Sequence, residues 1–368
     1  MLMITTSIFP GRYVQGAGAA QKLGIEMKRF GKKGYMIYDP FVYDNILQGF
    51  RKQMEAEVAV TTERFEGECS DEEISRLTIA AKNAVCEFVA GIGGGKTLDT
   101  AKAVAHSVGK PVIIVPTLAS TDAPCSALSV IYTPKGEFKR YLFLPKNPDL
   151  VLVDTEIVAQ APARFLRCGI GDALATWFEA DSCHRTVSAN MTGNPGSMTA
   201  IALARLCYDT LFEYGEAAMV SAGAHVVTPA LEHIVEANIL LSGLGFESGG
   251  LAACHAIHNG LTVLKETHHL FHGEKVAFGV LATLFLTDRP ADIIDDVYTL
   301  CLAVGLPVTF EEMGMKDPSD ESLMLVGEAS CAEGETIHNE AGEITPKAVV
   351  AALRAADGEG RRRKSMLK

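Results

Sequence analysis

No C-x-x-C pair occurs anywhere in this sequence, and its nine cysteines are an odd number. Both absences argue against a disulfide framework and for reduced thiols in a cytoplasm. No apolar run approaches the roughly 20 residues that a membrane-spanning helix needs. Met1-Leu2-Met3-Ile4 is too short for the apolar region of a signal peptide, and no basic segment precedes it. The chain is therefore expected to be soluble and cytoplasmic. Positive charge is also scarce: 33 Lys and Arg stand against 45 Asp and Glu, for a net charge of −12. That balance argues against a nucleic-acid or anionic-membrane partner. The one basic run, Arg361-Arg362-Arg363-Lys364, reads as a solvated tail. The 368 residues are 48% hydrophobic and 21% charged, enough for two domains with full cores and unlike a disordered chain.

The first half alternates between strands and helices. Gly34-Tyr35-Met36-Ile37-Tyr38-Asp39 reads as a strand that ends on a carboxylate, and Ile46 to Ala56 as a helix. Val58-Ala59-Val60 is the next strand, and Asp71 to Cys86 is a helix with Ser70 as N-cap. Pro111-Val112-Ile113-Ile114-Val115-Pro116 is a continuous apolar run, of the kind buried on both faces of a parallel sheet. Tyr141 to Leu144 and Leu150 to Asp154 read as further strands. The pattern predicts an α/β domain with parallel pairing over residues 1–161. From residue 162 to 368 strand-like runs almost vanish, and apolar residues recur at helical spacing at 172–183, 198–214, 229–244 and 249–264. An all-helical domain is expected there.

The stretch from Phe88 to Lys102 organises the first half. Phe88-Val89-Ala90 opens as a strand, four glycines follow at 91, 93, 94 and 95, and the chain continues as a helix. Glycine lets the backbone turn sharply and a ligand approach closely. The start of a helix offers free N–H groups and a positive dipole end, which suits a phosphate. Two familiar phosphate loops are absent. A Walker A loop needs glycine where Ala90 stands, and a G-x-G-x-x-G beginning at Gly91 needs glycine where Lys96 stands. Five of the ten histidines fall between residues 255 and 272: His255, His258, His268, His269 and His272. Such density points to a metal site, and His255 with His258 share a helix face at i, i+3.

The segment Gly93-Gly94-Gly95-Lys96-Thr97-Leu98-Asp99-Thr100-Ala101-Lys102 resembles the GGG-x-x-x-D-x-A-K signature of the iron-containing alcohol dehydrogenase superfamily. Three further segments are similar to its glycerol dehydrogenase branch: Pro116 to Ser126, Gly169 to Trp177, and Phe246 to Ala252. The resemblance extends from Pro10 to Asn339 and implies a Rossmann-like α/β domain with an all-α domain, the dehydroquinate synthase-like fold. It implies NAD as cofactor, with Gly93, Gly94, Gly95 and Lys96 in the pyrophosphate loop. Thr117, Ser120, Ser126, Leu128 and Tyr132 match its other cofactor contacts. Asp39 lies where the family contacts the adenosine ribose; a carboxylate there would repel a 2′-phosphate and favour NAD over NADP. From the residues alone, Asp39 reads equally as an exposed strand-end aspartate.

The resemblance also assigns Asp172, His255 and His272 as the ligands of one metal ion per chain, leaving His258 a supporting role and His268 and His269 lining the loop. Members that use iron often carry a histidine four residues after the first ligand aspartate, and here Thr176 stands there. Three protein ligands leave an open position, as in catalytic zinc sites. Zinc is therefore expected rather than iron. Asp122 and His255 are implied as substrate contacts, and the catalytic set is Asp122, Asp172, His255 and His272. The implied activity is NAD-dependent oxidation of glycerol or a related vicinal diol, in a homo-oligomer that in this family is often an octamer. Two rivals are a lyase of the dehydroquinate synthase type and a nucleoside triphosphate-binding module built on Gly95-Lys96-Thr97. The lyase would need extra cationic side chains, where the Asp122 segment supplies an anion.

Overall fold

A computed structural model describes residues 4–367; residues 1–3, part of the apolar start read above as too short for a signal peptide, lie outside them. The chain divides into two compact units. One comprises Phe9–Pro162 with Ser221–Leu240; the other comprises residues 4–8, 163–220 and 241–367. Two segments thus depart from a single boundary after residue 161. Residues 4–8 group with the helical unit, where Ile8 N donates to Ser248 Oγ (3.0 Å) and Asn190 Nδ2 donates to the Thr6 carbonyl (2.9 Å). Ser221–Leu240 groups with the α/β unit. There the Glu232 carboxylate accepts from Thr155 Oγ1 (2.7 Å) and Gln15 Nε2 (3.0 Å).

The α/β unit contains strands β1 (Tyr13–Gly16), β2 (Lys33–Tyr38), β3 (Ala59–Arg64), β4 (Phe88–Gly93), β5 (Val112–Pro116), β6 (Leu128–Tyr132), β7 (Phe138–Phe143) and β8 (Leu150–Asp154). Its helices are α1 (Leu23–Met27), α2 (Pro40–Asn45), α3 (Leu47–Glu55), α4 (Asp71–Asn83), α5 (Gly95–Val108) and α6 (Thr155–Gln160). Among the described residues, a six-stranded sheet runs β1-β8-β5-β4-β2-β3 with every pairing parallel. All residues of β4, β5 and β8 are buried, which explains their unbroken apolar runs. Ser70 caps α4, accepting from Glu73 N at 3.2 Å.

The strand expected near residues 141–144 is not in this sheet. It is β7, paired antiparallel with β6 in a separate hairpin. Only residues 133–137 join the two strands, with Gly136 at φ 83°. Five residues can close a hairpin but cannot make the crossover that parallel strands need.

The helical unit is built on α7 (Ala163–Thr186) and most of α8 (Met198–Gly223), with α10 (Ser242–Gly249), α11 (Ala253–Leu261), α12 (His272–Leu286), α13 (Ala291–Val304), α14 (Asp320–Ser330) and α15 (Pro346–Met366); α9 (Pro229–Glu236) belongs to the Ser221–Leu240 segment of the α/β unit. The helix expected from 229 to 244 is interrupted by a π-helical turn at Ala237–Leu241, and the division between units falls inside that turn. The basic run is not a solvated tail. It forms the last turns of α15, where Arg361 pairs with Asp357 (2.8 Å), Arg362 with Glu359 (2.7 Å), Arg363 with Asp295 (2.7 Å) and Lys364 with Glu312. No helix among the described residues is long and apolar enough to cross a membrane. Every cysteine is free, and all but Cys331 are buried.

Candidate active site

Asp172 lies in the middle of α7, His255 in the first turn of α11, and His272 is the first residue of α12. Glycines let these helices approach closely enough to bring the three together. A Cβ on Gly171 would fall 2.3 Å from the Gly273 carbonyl oxygen, one on Gly273 would fall 1.8 Å from the Cys168 oxygen, and one on Gly279 would fall 2.5 Å from the Cys254 oxygen. Each of these close approaches involves a residue adjacent in sequence to Asp172, His255 or His272, so the absent side chains set the site's dimensions.

One carboxylate oxygen of Asp172 lies 3.0 Å from His272 Nε2 and 3.5 Å from His255 Nε2. One ligand atom from each of the three lies within 4.8 Å of the others. Asp172 is buried, His255 and His272 partly so. The other nitrogen of His255, Nδ1, meets the Glu179 carboxylate at 2.6 Å. Glu179 is fully buried, seven residues along α7 from Asp172, and also accepts from the backbone N–H of Ala252 and of His255, both at 2.9 Å. With Nδ1 engaged by Glu179, Nε2 is the nitrogen turned toward Asp172.

His258 is not in this group. Its Nε2 lies 2.9 Å from His272 Nδ1, its Nδ1 3.1 Å from Asn259 Oδ1, and Asn259 Nδ2 donates onward to Glu335 at 3.0 Å. If His272 Nδ1–H donates to His258, then His258 Nδ1–H donates to Asn259, so the row fixes both tautomers. His268 and His269 are exposed and bond local carbonyls, those of Thr262 (2.9 Å) and Glu266 (2.8 Å).

The charges point the same way. Burial alone would raise the Asp172 carboxyl, but the His272 charge and hydrogen bonds from both histidines hold it well below its ordinary range. Burial would lower His255, yet Glu179 and Asp172 raise it well above. Burial and the His272 charge push His258 well below, so it is neutral. Two buried carboxylates thus draw positive charge to one spot lined by two imidazole nitrogens. An oxygen and two nitrogens in that arrangement fit a divalent metal of borderline softness. Thr176, where a fourth ligand would stand, is engaged elsewhere: its hydroxyl meets Ser242 Oγ at 2.8 Å, both buried, and its methyl covers Gly245.

The α/β unit carries the second part. Asp39, Gly93 and Thr117 lie at or just beyond the carboxyl ends of the neighbouring strands β2, β4 and β5, the edge at which open parallel sheets bind ligands. Gly93 has φ 151°, and a Cβ there would fall 2.4 Å from Asp39 Cβ, so the turn admits no side chain. Gly94 precedes α5 without capping it by a side chain, leaving the first N–H groups of a 14-residue helix for a ligand. Thr97 Oγ1, buried in that turn, has no hydrogen-bond partner among the described residues. This cradle fits a pyrophosphate. Lys96 lies in the same turn, with its ammonium 2.6 Å from Glu68 Oε1 and 5.2 Å from the centre of the Tyr132 ring. Asp39 also caps α2, its carboxylate accepting from Phe41 N at 2.9 Å. Ser120, Asp122 and Ser126 follow β5 on one loop, and Leu128 and Tyr132 are the two ends of β6.

The family described as iron-containing alcohol dehydrogenase matches residues 10–155. A glycerol dehydrogenase of Thermotoga maritima is 64% identical over 364 residues, 99% of this chain and 100% of that protein. A glycerol dehydrogenase of Escherichia coli O6:H1 is 54% identical over 354 residues, 96% of each chain. The crystal structure of glycerol dehydrogenase from Schizosaccharomyces pombe superposes with a TM-score of 0.95 at 39% identity, covering 100% of this chain and 93% of that one. The chain belongs to the iron-containing alcohol dehydrogenase family. That family is NAD- and metal-dependent.

Two residues with a part in these arrangements escaped the sequence reading. Glu179 orients His255, and its signal was a carboxylate two turns from Asp172 on the same face of the helix. Lys102 sits inside the glycine-loop signature, but its ammonium is buried beside the loop that follows β5.

Proposed function

We propose that the chain oxidises the secondary hydroxyl of glycerol to give dihydroxyacetone, passing hydride to NAD. The observation that carries this reading is the convergence of Asp172, His255 and His272 in one unit of a chain whose other unit holds an uncapped glycine turn. Its close relatives named glycerol dehydrogenase support it. The helical unit, residues 162–368 in the sequence reading, is taken as the metal- and substrate-binding part, and residues 1–161 as the NAD-binding part.

Asp172, His255 and His272 would hold zinc rather than iron, one ion per chain; Thr176 and the open position left by three ligands support that choice. A bound divalent metal supplies Lewis acidity that favours loss of the hydroxyl proton, and bound NAD supplies the hydride acceptor. The chain's own residues orient these groups. Glu179 and His258 fix the rings of His255 and His272, the glycine turn receives the pyrophosphate, and Asp122 accepts hydrogen bonds from the diol. Neither the lyase nor the triphosphate-binding reading gains a cationic cluster or a Walker loop to support it. A homo-oligomer, octameric as in the resembled branch, and a cytoplasmic location complete the proposal.

Assaying a panel of vicinal diols with NAD and NADP, with elemental analysis of the purified protein, tests the whole reading. Active protein that carries no metal would overturn it. Two variants test its parts. Asp39→Ser should narrow the preference for NAD over NADP, because the repulsion of a 2′-phosphate is removed. An unchanged ratio of kcat/KM for the two cofactors leaves Asp39 only its helix-capping role. Asp122→Asn should raise KM for glycerol by roughly tenfold, the loss of one charged hydrogen bond of about 1.5 kcal/mol. Titration with NAD should give the affinity of the parent protein; equal loss of NAD binding means that Asp122 shapes the cofactor loop instead.

A further inference from the structure

A lysine ammonium is among the groups least often buried, and burying a charge without partners is costly. Lys102 has a fully buried side chain, in the second turn of α5. Its Nζ pairs with Asp99 Oδ1 one turn earlier at 2.8 Å, and donates to the carbonyls of Ala123 (3.0 Å) and Leu128. The Ser126 carbonyl lies at 3.4 Å. Asp99 holds the same stretch from its other oxygen, which accepts from Val130 N at 2.9 Å, and its own carbonyl accepts from Ser129 Oγ at 2.9 Å. Two buried amides add to the grip. Asn147 Nδ2 donates to the Cys125 carbonyl (2.9 Å) and Asn238 Nδ2 to the Ala119 carbonyl (3.0 Å).

A buried ion pair is by itself a weak source of stability compared with apolar residues of the same size. What this pair does is specify geometry. All the carbonyls that Lys102 engages lie within residues 123–128, a single 3-10 turn at Ala123–Cys125 that runs on into the first residue of β6. The helix that carries Lys102 also presents its first turn to the pyrophosphate. One rigid element therefore sets both the phosphate turn and the path of the segment that bears Ser126 and Leu128.

We infer that Lys102, held by Asp99, is a positioning residue for the nicotinamide half of the cofactor, fixing the Ser126–Leu128 backbone relative to the phosphate turn. This rests on the reading of Ser126 and Leu128 as cofactor contacts. The test compares NAD with ADP-ribose, which keeps the adenosine and pyrophosphate but lacks the nicotinamide. Lys102→Met removes the ammonium, and the double variant Asp99→Asn/Lys102→Met removes both charges so that no lone carboxylate is left buried. Binding is measured by calorimetry on the full chain, with the melting temperature, the metal content and amide hydrogen exchange.

In the folded variant, Kd for NAD should rise about 10- to 100-fold while Kd for ADP-ribose moves by less than about threefold, as expected when one part of a site is misplaced. Amides of residues 123–130 should exchange faster, those of β4 and β5 should not, and metal content should stay the same. Equal weakening of NAD and ADP-ribose overturns the inference, and so does unchanged NAD binding. If neither variant folds, Lys102 serves the fold and the positioning role is wrong. A parent chain that binds neither ligand sinks the cofactor reading itself, and the exchange of residues 123–130 then decides alone whether Lys102 holds the segment.

Discussion

His255→Ala is expected to leave the purified chain without bound metal and without measurable glycerol oxidation. His258→Ala, three residues away on the same helix, should keep most of its metal and lose roughly 10- to 100-fold in metal affinity or activity. The contrast follows from where the rings point. His255 Nε2 faces the Asp172 carboxylate, whereas His258 reaches only the back of His272. Removing His255 also leaves Asp172 and Glu179 as neighbouring buried carboxylates with one imidazole fewer between them, so the metal loses a ligand and its oriented geometry together. An alcohol without a polarising cation is far too weak an acid to release its proton at neutral pH. Metal per chain after exhaustive dialysis is the readout for both variants. Equal loss in the two would mean that the i, i+3 pair His255 and His258 holds the ion.

Glu179 carries the second large effect. Glu179→Ala removes the acceptor of two buried N–H groups, those of Ala252 and His255, at a cost of about 1–3 kcal/mol each. It also frees the His255 ring. Glu179→Gln separates these roles. The amide oxygen can still accept from the backbone, but the amide offers no charged acceptor to His255 Nδ1. The Gln variant is expected to melt close to the parent and to bind metal about 10- to 100-fold more weakly, measured by competition with a chelator. The Ala variant should lose both stability and metal. A Gln variant with the parent's metal affinity would show that Glu179 serves the fold of the α11 start and nothing more.

Much of this protein was legible in the order of its residues. The apolar runs of β4, β5 and β8 read as buried parallel strands because both faces of such a strand must be apolar. The glycines at 91, 93, 94 and 95 read as a turn after Ala90; the turn is at Gly93 and Gly94, Gly93 with no room for a Cβ, whereas Gly91 lies inside β4 and Gly95 begins α5. Asp172, His255 and His272 came from family resemblance, since no local spacing joins residues so far apart in sequence.

What the sequence could not decide were choices among partners of similar local appearance. His255 and His258 stand on one helix face, and only the packing of α11 against α7 and α12 determines which ring meets Asp172. The strand at β7 has the composition of a sheet strand, but five connecting residues bind it to β6 rather than to the parallel sheet. Arg361 to Lys364 carry the composition of a solvated tail, but carboxylates from elsewhere, Asp295 and Glu312, meet them. Ser221–Leu240 reads as part of a continuous helical half, yet its bonds are to Gln15, Ala119 and Thr155. Lys102 closes the glycine-loop signature, and its burial turns the ammonium toward Asp99 and backbone carbonyls. Local sequence determines which elements form, because periodicity and turn chemistry act over a few residues. Which polar groups meet in the interior is decided by the tertiary fold, because a buried charge is tolerated only where distant parts of the chain bring it a partner.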